Sequence, residues 1–569
     1  MKYTILSIAL FFVCGSVNAQ IPKIDWVKSV GTTDQRISAK SIATDKLGNS
    51  YSVGTFEGLC DMDPSSATLY LTSSGTNDIF ISKFDIKGNL VWAKQIIGNG
   101  NSETPTGIRV DDAGNIFIAG FLTGTMDFDP GTKVNNLNSL GDEDIFLLKL
   151  NTDGDFIWVK QIGSTSFERI SDIQIDPTGN IYLLGSFSTS LDADPSSIAV
   201  NVLYASQGNT FILKFDNSGQ LIWAKNFGGN TTVGNSLGLD KKNNVYCVGY
   251  FSDYADFDPG PKVYNLTAFG KSIDCDDDGF VLKLDDLGSF LWAKNFGGKN
   301  KTYAFDISID KENSLYISGN FDNTCDFDPN AGVYNLKSSG NNDGFITKWD
   351  SLGNFYWAHK IGGASYGDLV NQTAVDQDNN IFILGMFNGL VDFGLGSKYF
   401  PLMSKATQDS YILKIDKSGK FIDAQSFYGY STAFKLQNNG DLYVNGYYSG
   451  SGDFDPDPSV SQMMSSKGIS DAFVLKLGNN PLSILNDRKT TEVFSIFPNP
   501  GHSIFEIHSS GTDGLQNLRV YNLNGSVIHQ QDMLHGSATI DLSFYPVGLY
   551  FIECFKEGSS LGIQKIIKE

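Results

Sequence analysis

The sequence predicts an all-β protein: a seven-bladed β-propeller of four-stranded repeats about 66 residues long, closed by its N-terminal strand, plus a small C-terminal Ig-like β-sandwich. Three observations predict it. A tryptophan slot recurs at 26, 92, 158, 223, 292, 357 and 423, with gaps of 65 to 69 residues. A second phrase, first met as Asp78-Ile-Phe-Ile-Ser-Lys83, occurs in seven copies with the same period, the last being Asp471-Ala-Phe-Val-Leu-Lys476. The repeats show β-branched and aromatic runs bounded by Gly, Asn and Asp, and no sustained 3.6-residue apolar pattern.

Residues 1–19 read as a secretory signal peptide. Lys2 gives the positive start, Ile5 to Cys14 is largely apolar, and Val17-Asn18-Ala19 offers small residues for cleavage between Ala19 and Gln20. Val13 stands before Cys14 where a lipidation signal wants a small residue, so simple cleavage is the expectation. No later run is long and apolar enough for a transmembrane helix.

The propeller is expected over 20–477. In the unit ending at Lys160, Thr106 to Asp111 and Ile116 to Leu122 are the first two strands. A long connection leads to a third at Ile145 to Asn151, and Asp153-Gly154 turns into a fourth at Phe156 to Ile162. The seventh repeat stops after its third strand at Leu477, and the chain opens with an orphan fourth strand, Ile24 to Val30. Pairing that strand with Ala472 to Leu477 would shut the ring and leave no long sheet edge exposed.

The 42 Lys+Arg against 63 Asp+Glu give a net charge of −21, which excludes electrostatically driven nucleic-acid binding. Residues 483–569 carry only 6 Lys/Arg and 9 Asp/Glu, so the acidity belongs to the repeats. Five cysteines remain after cleavage, Cys60, Cys247, Cys275, Cys325 and Cys554; an odd, irregular set suits buried thiols better than disulfides or zinc.

The richest candidate site is the phrase Asp-x-Asp-Pro in the connection between the second and third strands. It places Asp61 and Asp63, Asp127 and Asp129, Asp192 and Asp194, Asp256 and Asp258, Asp326 and Asp328, and Asp453 and Asp455 on one end of the ring. The sixth repeat departs, with Asp392-Phe-Gly394. Residues i and i+2 of an extended stretch point the same way, so each pair could offer oxygens to Ca²⁺, although calcium needs more donors than one pair supplies. The competing reading has these carboxylates accepting N–H groups of their own loops. The slot tryptophans are expected to pack one blade on the next, with Asp423 marking a weaker or more solvated spot. Gly234-Asn-Ser236-Leu-Gly238 leads into a strand, not a nucleophile elbow, and His359 is the one histidine of the repeats, so a serine hydrolase is not expected.

The repeats, with Gly114-Asn-Ile-Phe-Ile-Ala-Gly120 as a typical phrase, resemble SBBP-type β-propeller repeats of secreted bacterial proteins, a likeness that implies a fold and no activity. After a polar linker over 478–493, residues 494–569 resemble the C-terminal sorting domain of the Bacteroidetes type IX secretion system. The likeness rests on Phe497-Pro-Asn-Pro500, Val520-Tyr-Asn-Leu-Asn-Gly525, Gly548-Leu-Tyr-Phe-Ile552 and the basic end Lys565-Ile-Ile-Lys568. It implies export through the type IX machinery, to the surface or the medium.

The function expected is therefore a surface or secreted binding or adhesion module, taking a glycan or protein ligand on its long-loop face. The alternatives are a glycan- or peptide-active enzyme using loop carboxylates, and a purely structural surface protein.

Overall fold

The computed structural model describes residues 20–478 and 494–569, apart from 101–102, 197, 206–208, 230, 271–276, 366, 458–459, 510–516, 523–526, 534–536 and 557–558. The expected signal peptide with Ala19, most of the expected linker and Cys275 lie outside the described residues. The chain forms two compact units that divide after Gly478.

Every regular element among the described residues is a β-strand, and every strand ladder is antiparallel. In the first unit Ile37–Thr44, Ser50–Phe56, Asp78–Phe84 and Leu90–Gly98 hydrogen-bond in that order as one sheet. The same four-strand order repeats over 104–162, 168–229, 232–298, 302–361 and 369–427. The seventh sheet joins both ends of the unit: Tyr430–Leu436, Leu442–Tyr448 and Asp471–Gly478 are completed by Lys23–Thr32. There Val27 stands opposite Leu475 and Val30 opposite Ala472. The first strand of each sheet packs beside the first strand of the next, and that of the seventh packs beside that of the first.

Two features depart from the sequence reading. The long connections are hairpins, not loops: Thr125–Asp127 pairs with Asn136–Asn138 and also reaches back to the preceding sheet, where Asp127 stands opposite Ile97. In the first five repeats this contact covers part of an outer strand edge whose N–H and C=O groups would otherwise be unpaired. Every first strand also carries a bulge, at Lys40, Thr106, Ser171, Asn235, Phe305, Asn371 and Thr432.

Hydrophobic cores lie between neighbouring sheets. Phe117 and Leu147 of the second repeat share one with Ile173, Leu183 and Phe211 of the third. Tyr443 and Val474 share another with Ile37 and Phe80, joining the seventh repeat to the first. Third strands such as Asp144–Leu150 are buried along their whole length because both faces are covered.

The second unit holds a sheet of Phe494–Phe497, Ile504–Ser509 and Ser537–Asp541, and another of Val527–Asp532, Asn517–Tyr521, Gly548–Lys556 and Ser559–Lys568. Phe505, Ile507 and Ile540 from the first share one core with Leu518, Val520, Ile552 and Ile566 from the second. Asn499 ties the Pro-Asn-Pro phrase to the basic end: its Nδ2 donates to the Lys565 carbonyl at 2.7 Å, and its Oδ1 accepts from the Ile567 N–H at 3.0 Å.

Candidate functional site

The conserved phrases of the repeat build an inter-sheet clamp. Tyr51, Lys83 and Trp92 are direct cross-strand partners on the second, third and fourth strands, so all three project from one face. The Lys83 ammonium lies 5.0 Å from the Tyr51 ring centroid. Both Lys83 Nζ and Trp92 Nε1 donate to the Thr152 carbonyl in the third-to-fourth-strand turn of the next repeat, at 3.2 and 3.4 Å. The same convergence joins Lys214 and Trp223 to Asp286, Lys283 and Trp292 to Ser351, Lys348 and Trp357 to Lys417, and Lys476 and Trp26 to Ile86. The indole lies over the glycine that ends the turn: a Cβ on Gly88 would fall 2.8 Å from the Trp26 ring. The tryptophans thus serve packing, and the lysine of the Asp-x-Phe phrase, which the sequence reading left without a role, is their partner.

Asp423, in the tryptophan slot, has a partner of its own. Its carboxylate accepts the N–H of Ile21, and Gln425 Nε2 donates to the Ile21 carbonyl.

The Asp-x-Asp pairs brace their own hairpins. Asp127 Oδ1 accepts the N–H groups of Asp129 and Asn135, at 3.1 and 2.8 Å, and Asp129 Oδ1 accepts that of Gly131 at 2.8 Å. The pattern repeats at Asp61 and Asp63, Asp192 and Asp194, Asp256 and Asp258, Asp326 and Asp328, and Asp453 and Asp455. Asp392 keeps the first half of it through Gly394 and Phe400. Among the described residues no three His, Cys, Asp or Glu side chains group closely enough to hold a metal ion. Cys60, Cys247, Cys325 and Cys554 are buried and unpaired as disulfides.

The first strands line a shared cavity and are stitched to one another by side chains. Asp172 Oδ2 accepts the Leu237 N–H, Asp306 Oδ2 accepts that of Thr373, and Gln372 Oε1 accepts that of Phe434. Thr432 Oγ1 donates to the Ala39 carbonyl and joins the last strand to the first. Residues from all seven first strands line one cavity of about 540 Å³, which opens among the short first-to-second-strand turns. Burial raises the Asp306 pKa to about 6, against the hydrogen bonds from Thr373 and Ser236.

At the other end, where the hairpins lie, each repeat contributes one cross-strand pair, and every member of these pairs except the buried Asn320 keeps some exposure. Ser38 faces Thr55, Thr104 faces Phe121, Arg169 faces Ser186 and Val233 faces Tyr250. Tyr303 faces Asn320, Leu369 faces Met386 and Tyr430 faces Tyr447. These positions differ from repeat to repeat while the residues around them recur. Tyr250 and Tyr303 meet edge to face at 4.5 Å, and Tyr430 and Tyr447 stack at 5.3 Å. Arg169 lies over the rings of Phe167 and Phe121, at 4.5 and 5.9 Å, and pairs with Glu143 at 3.1 Å. A recess of about 410 Å³ beside Tyr447 is lined by Arg36, Lys40 and Glu57. Burial lowers the pKa of Lys40 and, with Asp277 nearby, raises that of Tyr250. Sequence reasoning missed this collar because it was sought in repeated phrases; the signal was the disagreement between repeats.

Residues 495–569 match the model of the Secretion system C-terminal sorting domain, and residues 91–120 match that of a Beta-propeller repeat. An uncharacterized WD repeat-containing protein of Acanthamoeba polyphaga mimivirus is 23% identical over 497 residues, 73% of this chain and 34% of that protein. The Regulatory protein FlaEY of Caulobacter vibrioides is 26% identical over 94 residues, 16% of this chain and 10% of its own. The chain thus spans about a third of the first relative's length and a tenth of the second's. Among solved structures, Sqt1 from Chaetomium thermophilum aligns over 81% of this chain and 100% of its own, at 8% identity and a TM-score of 0.37. Residues 91–120 thus carry a propeller repeat and residues 495–569 a sorting domain, which indicates export by type IX secretion to the cell surface or as a secreted product. No helix among the described residues is long and apolar enough to cross a membrane.

Proposed function

We propose that the protein is an exported seven-bladed β-propeller that acts as a binding module, taking a glycan or protein ligand at the mouth of its channel on the hairpin side. Seven four-stranded sheets with first strands in cyclic contact support the ring. Two facing sheets over a shared core support an Ig-like sandwich for the sorting domain. Residues 1–19 are the signal peptide of this reading, cleaved before the exposed Gln20.

One observation carries the ligand site: aromatic and cationic side chains concentrate at the positions where the repeats differ. A ring scaffold needs its repeated residues for packing, so its variable inner positions are where a ligand can be selected. Tyrosine faces suit stacking on sugar rings or apolar side chains, and Arg36, Lys40 and Arg169 suit acidic groups in an otherwise acidic repeat unit. The hairpin carboxylates, each holding backbone N–H groups, serve the scaffold in this reading and not acid–base catalysis. Presenting the processed protein to an array of neutral and acidic oligosaccharides tests the glycan form of the proposal. Saturable binding supports it; no binding to any of them leaves the protein form or a structural ring.

A further inference from the structure

Where the outer strand of the fifth repeat meets the hairpin of the sixth, three residues depart from the pattern of the other repeats, and all three line one open cleft of about 530 Å³. The outer strand Phe355–Ile361 carries His359 where Lys28, Lys94, Lys160, Lys225 and Lys294 stand in five other repeats. The sixth hairpin has Leu395 in the proline slot of the Asp-x-Asp-Pro phrase. It also has Tyr399 where the second to fifth repeats place an exposed valine, Val134, Val200, Val263 or Val333.

Side-chain size explains why a cleft opens there. One repeat earlier, Lys294 Nζ donates to Asn330 Oδ1 at 2.6 Å and to the Gly353 carbonyl at 2.8 Å, bridging the outer strand to the hairpin beside it. In the cleft both partners are replaced: the shorter His359 occupies the slot of that lysine, and Gly396 that of the asparagine. A Cβ on Gly396 would meet nothing within 4 Å. Among the described residues no backbone hydrogen bond joins the sixth hairpin to Phe355–Ile361.

We propose that this cleft is a second binding site, which takes a short neutral saccharide with Tyr399 on one wall and Tyr334 on the other. The two tyrosines stand on different hairpins and are 73% and 39% exposed, so each keeps ring surface for the apolar face of a sugar. The polar groups between them suit hydroxyls better than ions. Lys360 is already paired with Asp343 at 3.2 Å. Asp392 Oδ1 accepts the N–H groups of Gly394 and Phe400, which leaves Oδ2 as an acceptor for a hydroxyl. That carboxylate disfavours an anion, and one carboxylate falls short of the donors a hard cation needs. His359 is neutral at pH 7, because burial lowers its pKa.

The volume lies within the range of about 300–1,000 Å³ common to small-molecule sites. An open cleft with two stacking faces binds weakly, so it adds hold on a sugar polymer while selection stays with the collar.

Saturation-transfer NMR of the full processed protein with cellotriose, maltotriose, chitotriose and mannotriose tests the site. Tyr399→Val installs the residue of four other repeats at an exposed position, so the fold is kept. At least one trisaccharide should bind the wild type at about millimolar concentration and bind Tyr399→Val about tenfold more weakly. Tyr399→Phe, which keeps the ring face, should bind as the wild type does. The collar variants Tyr303→Ala and Tyr447→Ala should bind it unchanged. Binding lost in the collar variants but kept in Tyr399→Val would overturn the rim site and leave the collar reading standing. Equal affinity for wild type and Tyr399→Val, or no binding of any of these sugars, would also overturn it.

Discussion

The backbone N–H of Ile21 donates to Oδ2 of Asp423 at 3.0 Å, joining residues 402 positions apart. Asp423 fills the slot where the other repeats carry the clamp tryptophan, and the connectivity of the sheet that joins both ends of the unit explains the exchange. The sixth repeat's clamp should grasp the turn between the third and fourth strands of the seventh sheet. That turn does not exist there, because the third strand ends at Gly478 and the fourth begins at Lys23. An indole would find no turn carbonyl; a carboxylate finds the N–H of the incoming N-terminal segment. Ile21 is itself buried in the adjoining core.

Asp423→Ala should therefore loosen the closing strand. A charge-assisted hydrogen bond of this kind contributes about 1–3 kcal/mol. Thermal unfolding should shift down, and the amides of Val27 and Val30 should exchange faster than those of Ile145 or Leu147. Unchanged exchange in the closing strand would refute this role.

The clamp makes a coupling prediction. Trp92→Ala should destabilise by about 2–4 kcal/mol, since the ring is large but only partly buried. Lys83→Met keeps the stem and loses the Thr152 bond, for about 1–2 kcal/mol. In a double-mutant cycle the two effects should not add, because both side chains serve one carbonyl. Additive losses would show that the shared acceptor is incidental.

The fold was legible because its determinants repeat: tryptophan slot, third-strand phrase and tight turns each recur at one spacing, and the orphan strand Ile24 to Val30 announced the seventh sheet. What stayed hidden depended on neighbours. Lys83 has no legible role in its own phrase, because its acceptor, the Thr152 carbonyl, belongs to the next repeat. The hairpins at Asp127 looked like loops because three-residue strands leave too little alternation to read. The collar was invisible to a search for repeated phrases, since each repeat contributes a different residue there.

The hairpin braces separate aspartate from asparagine. Asp127→Ala removes the acceptor for two N–H groups and should cost about 1–2 kcal/mol, while Asp127→Asn keeps an Oδ1 and should cost less. The brace account expects the melting temperature to be the same with and without added calcium. A calcium-dependent rise abolished by Asp127→Asn would restore a cation role for these pairs.

Glu103 supplies a pH test. Its carboxyl is buried against the Gly98 and Gly100 backbone, and burial, with Asp78 nearby, raises its pKa above the ordinary value of 4.5. A raised folded pKa favours the protonated form, so stability falls as pH rises from the unfolded value through the folded one. Glu103→Gln should melt higher than wild type at pH 7, with the gain vanishing toward pH 4. A variant less stable at both pH values would contradict that sign.

The central claim is that the collar, not the outer surface, selects the ligand. Its most direct measurement is the affinity of the strongest array ligand for the processed protein and for Tyr303→Ala, Tyr447→Ala and Tyr70→Ala. Tyr70 is an exposed hairpin residue and serves as the outer control. The account predicts about tenfold or greater loss for Tyr303→Ala and Tyr447→Ala, as for removal of an aromatic contact centre, and no change for Tyr70→Ala. Full affinity in both collar variants, or a loss confined to Tyr70→Ala, would contradict it.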